Sequence, residues 1–276
     1  MSIESALKDV KMIAMDMDHT LLTESGEFPP NFDRYILELD KIGIDLVIAS
    51  GRPLYTLKSL FHNSVDKMSF ISDNGGIVTH KENLIFTSLL ETPDYQTMVN
   101  FTEAKTDGIA IVCGIDRAYV PKKHKKYGAT LSRSYSKIAF VDAPNQLSVK
   151  ANKFSVYFPN KNSKEFYEKI FKPQYANDFS VTVGDTVWID IMNLGINKGT
   201  AIKLLGKNLG LKYEQMMAFG DTYNDVEMLQ AVKHSYIVKN ASEDMRQYAN
   251  FVADSNDNYG VTKVIDKVLK AHRRSK

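Results

Sequence analysis

An α/β fold, with a parallel sheet interrupted by an inserted α+β unit, is what the sequence predicts, and two patterns predict it. Short apolar strands alternate with amphipathic helices at both ends of the chain, and in the middle that alternation breaks down. Val10 to Met15 reads as the first strand, running into Asp16. Pro29 and Pro30 open a helical stretch in which Phe32, Ile36 and Leu39 recur at helical spacing, and Gly43 stops it. Asp45 to Ala49 reads as a second buried strand followed at once by Ser50 and Gly51. Pro53 suits a first helical turn, with Leu57, Leu60 and Phe61 expected on one face. Ser69 to Ser72 gives a third strand, ending in the turn residues DNGG.

From about Phe86 to Met192 the pattern changes. Strands are expected at IAIVC, KIAFV, KFSVYF, FSVTV and VWIDIM, with helices near TPDYQTMVNFTEAKT and SKEFYEKIF. After Met192 the alternation returns: a helix over Lys198 to Leu209, a strand at MMAF, a helix at DVEMLQAV, a strand at SYIVK and a last helix at VTKVIDKVLKAH. The expected architecture is a Rossmann-like parallel-sheet core of residues 1–85 and 192–276, with an α+β cap domain of residues 86–191 inserted in it.

A chain of 276 residues with 43% hydrophobic and 25% charged residues fits an ordinary globular protein. Its net charge of +2 gives no case for nucleic acid or a membrane surface as partner. The N-terminal segment MSIESALKDVKMIAMD has neither the basic region nor the apolar run of a signal peptide, and no apolar stretch is long enough to span a bilayer. The single cysteine, Cys113, cannot form an internal disulfide and is expected to pack as a small hydrophobe in a strand. A cytoplasmic protein is expected, with its oligomeric state left open.

In an open parallel sheet, ligands sit outside the carboxyl ends of the strands. That rule gives the polar residues at the predicted strand ends one address. Asp16 and Asp18 leave the first strand, Ser50 the second, and Asp221 and Asp225 follow MMAF; Lys198 stands where the insert returns to the core. Four clustered carboxylates stay ionised only with a cation among them, and oxygen ligands beside a phosphate favour Mg²⁺. A carboxylate is a competent nucleophile toward phosphorus, and a second one nearby can protonate a leaving oxygen and then deprotonate water. A hydroxyl, backbone N–H groups near Gly51 and an ammonium can hold phosphoryl oxygens. Taken singly, each element also has a plainer reading, as a turn, a solvated lysine or a helix cap.

The sequence resembles the haloacid dehalogenase superfamily, specifically the Cof-type phosphatases with a large C2-type cap. DMDHTLL at 16–22, IASGRP at 48–53, NKG at 197–199 and FGDTYNDVEML at 219–229 carry the resemblance, and DNGG at 73–76 and DSNDNYGV at 254–261 add to it. The resemblance implies Asp16 as nucleophile and metal ligand, and Asp18 as general acid/base with its backbone carbonyl on the metal. It implies Ser50, Gly51 and Asn224 as phosphate contacts and Lys198 as the group neutralising nucleophile and phosphate. Asp221 is implied as a direct metal ligand, Asp225 as a metal-supporting carboxylate, and Thr20 as the residue steadying the first loop. His19 stands where the family usually has glycine; it either leans over the site entrance or points to solvent. The basic run Pro121 to Gly128 either attracts an anionic substrate or is a solvated face.

The expected activity is Mg²⁺-dependent hydrolysis of small cytosolic phosphomonoesters, sugar phosphates above all, through an aspartyl-phosphate. The insert is expected to govern substrate choice without supplying bond-breaking groups. A hexose phosphomutase, or a non-catalytic phosphate-dependent regulatory module, are the alternatives.

Overall fold

The computed structural model describes residues 7–274; the first six residues of the segment expected not to be a leader lie outside it. In chain order, β1 (Met12–Met15), β2 (Asp45–Ala49) and β3 (Ser69–Ser72) are joined by α1 (Phe32–Lys41) and α2 (Leu54–Leu60), and a hairpin of β4 (Ile77–His80) and β5 (Asn83–Thr87) follows. Next come α3 (Thr92–Lys105), β6 (Ile109–Gly114), β7 (Ala118–Pro121), β8 (Ile138–Val141) and β9 (Ala151–Tyr157). A helical run over 163–175 leads to β10 (Phe179–Asp185) and β11 (Trp188–Asn193). The chain ends with α4 (Lys198–Asn208), β12 (Met216–Gly220), α5 (Val226–Gln230), β13 (His234–Val238), β14 (Phe251–Ala253) and α6 (Gly260–Arg273).

Two sheets result. The first has eight strands in the order β14-β13-β12-β1-β2-β3-β4-β5, parallel from β14 to β3 and closed by the antiparallel β4–β5 hairpin. The second has six, in the order β10-β11-β9-β6-β7-β8. The α/β class expected from the alternation is the class observed. Both expected domain limits fall inside strands, since β5 runs on to Thr87 and β11 to Asn193.

Period-two alternation explains why the first sheet is covered on both faces. Ile13 and Met15 of β1 pack with α1 and α6 through Ile36, Leu39, Ile265 and Val268. Met12 and Ala14 face the other way, toward Ile202 and Leu205 of α4 and Met228 of α5. The stripe Phe32, Ile36, Leu39 is buried as its spacing requires. Leu60 departs from expectation: it is 41% exposed, because α2 ends there and only Leu57 and Phe61 turn inward. The hairpin β4–β5, and strands β7 and β14, were not anticipated. β5 and β14 each carry only three consecutive apolar residues, 84–86 and 251–253, a run too short to read as a buried strand.

No helix among the described residues is long and apolar enough to cross a membrane.

Candidate active site

The strand order reverses at β1. From there the chain winds outward through β2 and β3 on one side and β12, β13 and β14 on the other. Such a switch point opens a crevice at the carboxyl ends of the strands. Asp16 directly follows β1, and its N–H donates to the Phe219 carbonyl at 3.0 Å, which ties the first loop to β12. Ser50 directly follows β2 and Asp221 directly follows β12.

Lys198 begins α4, whose N-terminus is capped by Asn197: its Oδ1 accepts from the Thr200 N–H at 2.8 Å. Gly199 is required next, since a Cβ there would collide with the Glu227 carbonyl. That close approach packs the start of α4 against α5 and delivers Lys198 to the crevice. The Lys198 ammonium, fully buried, donates to Asp16 Oδ1 at 2.5 Å and to Asp225 Oδ1 at 2.7 Å. The other oxygen of Asp225 accepts from the N–H groups of Asp221 at 3.0 Å and Thr222 at 3.3 Å. Asp225 therefore braces the loop that carries Asp221; its side chain closes a capping box with Thr222 on the turn 223–225, and does not act as the N-cap side chain of α5 that the plainer reading expects. Thr20 Oγ1 donates to Asp221 Oδ1 at 2.8 Å, linking the first and last loops.

Asp16, Asp221 and Asp225 each offer a carboxylate oxygen within 4.8 Å of the others. The Asp18 carboxylate is turned instead to Arg52, which grips it from Nε at 3.0 Å and Nη2 at 2.6 Å. Four carboxylates thus face two cationic side chains, Lys198 and Arg52, which leaves two negative charges in excess when all are ionised. An oxygen-only donor set with that excess fits a divalent hard cation. The electrostatics agree. Burial pushes the Asp16 carboxyl well above the ordinary carboxylate value against the pull of Lys198, and Asp225, Asp221 and Asp18 add to the rise. Asp221 is pushed up to about 7 by burial and by Asp225. Burial works against the charge on Lys198, yet Asp16 and Asp225 together hold its ammonium above the usual value.

Asp16, Asp18 and Asp221 open onto a cleft of about 720 Å³ between the two sheets, with Lys198 and Asp225 buried behind them. One wall carries Asp16, Asp18, Ser50, Gly51, Asp221 and Asn224; the other, from the insert, carries Arg133, Tyr135, Tyr157 and Trp188. The Trp188 ring lies 4.9 Å from that of Tyr157 and 5.9 Å from that of Tyr135. Asn224 Nδ2 donates to Asn74 Oδ1 at 3.1 Å. The DNGG turn that holds Asn74 depends on Gly75, at φ +106°, where a Cβ would lie 2.5 Å from the Asn197 carbonyl oxygen.

His19 combines its two expectations: it stands at the cleft entrance and its side chain is about half exposed. It takes a left-handed conformation at φ +59°, lines the cleft rim, and places Nδ1 3.1 Å from Glu24 Oε1, while its carbonyl accepts from Asn240 Nδ2 at 2.7 Å. DSNDNYGV fastens the same loop: Asn256 Nδ2 donates to the Leu22 carbonyl at 2.9 Å. No residue of the run 121–128 lines the cleft; Lys123 pairs with Glu103 at 2.8 Å and Lys122 with Asp142 at 3.5 Å, as for a solvated face. Cys113 is fully buried in β6, and burial pushes its thiol up to about 11. Sequence reasoning missed Arg52 as the partner of Asp18. It also missed Lys153 and Asp190, two buried charged residues of the insert that reach the cleft. A lysine inside the apolar strand KFSVYF and an aspartate inside VWIDIM were the available signals.

Comparison with known proteins agrees with this arrangement. Residues 13–265 match the family of haloacid dehalogenase-like hydrolases. The chain is 29% identical to the 5-amino-6-(5-phospho-D-ribitylamino)uracil phosphatase YbjI of Escherichia coli over 95% of its own length and 97% of that protein's. It is 26% identical to the phosphatase YcsE of Bacillus subtilis, named for the same substrate, over 96% and 98%. The crystal structure of SMU.1108c from Streptococcus mutans superposes with a TM-score of 0.88 at 29% identity, covering 95% of this chain and 99% of that one. With the family matched from β1 to α6, the chain belongs to the haloacid dehalogenase-like hydrolases.

Proposed function

We propose that this hydrolase is a Mg²⁺-dependent phosphatase that transfers the phosphoryl group of a small phosphorylated sugar or sugar alcohol to Asp16 and then to water. One observation carries the reading. A buried carboxylate at the switch point is held by a buried ammonium and opens, with a second carboxylate two residues on, into a cleft sized for a metabolite.

An Asp16 carboxylate oxygen attacks phosphorus and the bond to the leaving oxygen breaks, with Asp18 giving that oxygen a proton. The Ser50 hydroxyl, the Gly51 N–H and the Lys198 ammonium hold the phosphoryl oxygens as charge moves onto them. Asp18, now ionised, takes a proton from water, which attacks the aspartyl-phosphate and frees inorganic phosphate. In this structure Asp18 is turned to Arg52, so the first proton transfer requires that pair to open when substrate enters. Asp16, Asp221 and the Asp18 carbonyl would hold the metal, with Asp225 supporting them; when bound, it supplies charge balance and polarises a phosphoryl oxygen.

Residues 86–191 form the cap in this reading and select the substrate. YbjI and YcsE are named for a ribityl phosphate joined to a pyrimidine. The aromatic wall of Trp188, Tyr157 and Tyr135 supports a substrate of that kind, with a polyol phosphate at the carboxylates and a planar ring against the cap.

The test is phosphate release from a panel of sugar, polyol and aryl phosphates, with wild type and Asp18→Asn side by side. Wild type is expected to hydrolyse several esters without an activating bisphosphate; a requirement for one would favour the phosphomutase, and no turnover at all the regulatory module. Asp18→Asn is expected to lose roughly 10²- to 10⁴-fold on alkyl phosphates and clearly less on aryl phosphates, whose leaving groups need no proton. Equal losses on both would remove Asp18 from the acid role.

A further inference from the structure

The structure assigns a positioning role to Lys153 and Asp190, two residues of the insert, in setting the phosphoryl-binding turn of the core. Lys153 leaves β9 and Asp190 leaves β11, and both are at least nine-tenths buried. Lys153 Nζ donates to the Gly51 carbonyl at 2.6 Å and to Asp190 Oδ2 at 3.2 Å. Asp190 is held in turn by Ser155 Oγ at 2.5 Å, directly opposite on β9, and by Asn74 Nδ2 at 2.7 Å.

The consequence follows from one planar unit. The Gly51 carbonyl and the Arg52 N–H belong to the same peptide bond, and in a trans peptide they point in opposite directions. With the carbonyl drawn to Lys153, the N–H is directed the other way, and it donates to Ser50 Oγ at 3.1 Å. A hydroxyl that accepts there keeps its own proton for donation, which directs the Ser50 O–H to a phosphoryl oxygen. The same peptide orientation fixes the turn that presents the Gly51 N–H. Asp190 keeps the Lys153 ammonium in place and, through Asn74, extends the restraint to Asn224. A peptide left to rotate would lose preorganisation at the phosphoryl site, and preorganised donors are what stabilise the developing charge. The cap thus does more than select substrate: it holds the core's phosphoryl-binding turn in shape.

The inference rests on the phosphoryl-binding role proposed for Ser50 and Gly51. The experiment measures kcat on an aryl phosphate, the inhibition constant of inorganic phosphate, and Tm. Wild type is compared with Lys153→Met, Asp190→Asn and Val112→Ala; the last opens a cavity in the cap's own core, away from the turn. Lys153→Met is expected to lower kcat by roughly 10- to 100-fold and to weaken phosphate inhibition by about tenfold. Val112→Ala is expected to lower Tm while leaving both kinetic constants near wild type. If Lys153→Met does not fold, the near-isosteric Asp190→Asn carries the test, with phosphate inhibition weakened about threefold or more. Lys153→Met, or in its place Asp190→Asn, matching wild type in both kinetic constants overturns the inference alone. A wild-type protein that hydrolyses no phosphate ester overturns the proposed function and this inference together.

Discussion

Replacing Asp16 with asparagine is expected to abolish turnover, by at least about 10⁴-fold in kcat, and to leave the protein folded. The size of the effect follows from the role. An amide is a poor nucleophile toward phosphorus, and no other carboxylate in the crevice stands directly at the end of β1. The survival of the fold follows from the electrostatics. Asp16 is one of four clustered carboxylates, and its burial and neighbours already penalise its ionised form. Removing that charge relieves repulsion, while Lys198 keeps Asp225 at 2.7 Å and so is not left as a lone buried cation. Tm should stay at or above the wild-type value. Turnover within a few-fold of wild type would take the nucleophile assignment away from Asp16.

Removing divalent metal is expected to reduce turnover by roughly 10³-fold, reversibly on adding Mg²⁺, since such an ion contributes several kcal/mol at a phosphoryl centre. Asp221→Ala should raise the Mg²⁺ concentration needed for half-maximal activity by about 100-fold or more. A stability readout separates metal binding from catalysis. The Asp221 carboxyl is pushed up to about 7 in the folded protein, from an ordinary value of 3.8. Between those values the folded protein keeps a proton that the unfolded chain has released. Stability from this group is therefore full on the acid side and is lost as pH rises through about 7. In chelator, Tm should fall between about pH 4 and pH 7, and Mg²⁺ should restore it most at the alkaline end, where the carboxylates are ionised. In Asp221→Asn that pH slope should flatten. Full activity in excess chelator would rule the metal out.

The residues that were legible in the sequence are those carried by short motifs at the ends of apolar strands. Asp16 after MIAM, Ser50 after DLVIA and Asp221 after MMAFG stand where a parallel sheet must leave its ligands, so local pattern and global topology agree on them. Lys198 was legible because it stands where the insert returns to the core, within NKG, and the structure shows that the packing of α4 on α5 needs the glycine of that motif. Lys153 and Asp190 were not. Each sits in a strand, where alternation normally sends a charged side chain to solvent. Only the pairing of β9 with β11 and the seating of that sheet over Gly51 turn them inward together. The Arg52–Asp18 pair was illegible for a related reason: SGRP reads as a strand-to-helix turn, and nothing local says that its arginine folds back onto the first loop. The β4–β5 hairpin escaped because its outer strand lies at the sheet edge with little of its surface buried.

In the proposed reaction the phosphoryl group passes through Asp16. The most direct test mixes wild-type protein with a good aryl phosphate and Mg²⁺, quenches in acid within a single turnover, and maps the digested protein by mass spectrometry. Acid preserves an acyl phosphate, and hydroxylamine cleaves it. One hydroxylamine-sensitive phosphoryl group is expected, on the peptide containing Asp16, appearing with the first equivalent of released phenol and absent from Asp16→Asn. Full single-turnover hydrolysis with no protein-bound phosphoryl group at any quench time, or with the label on another residue, would contradict this route.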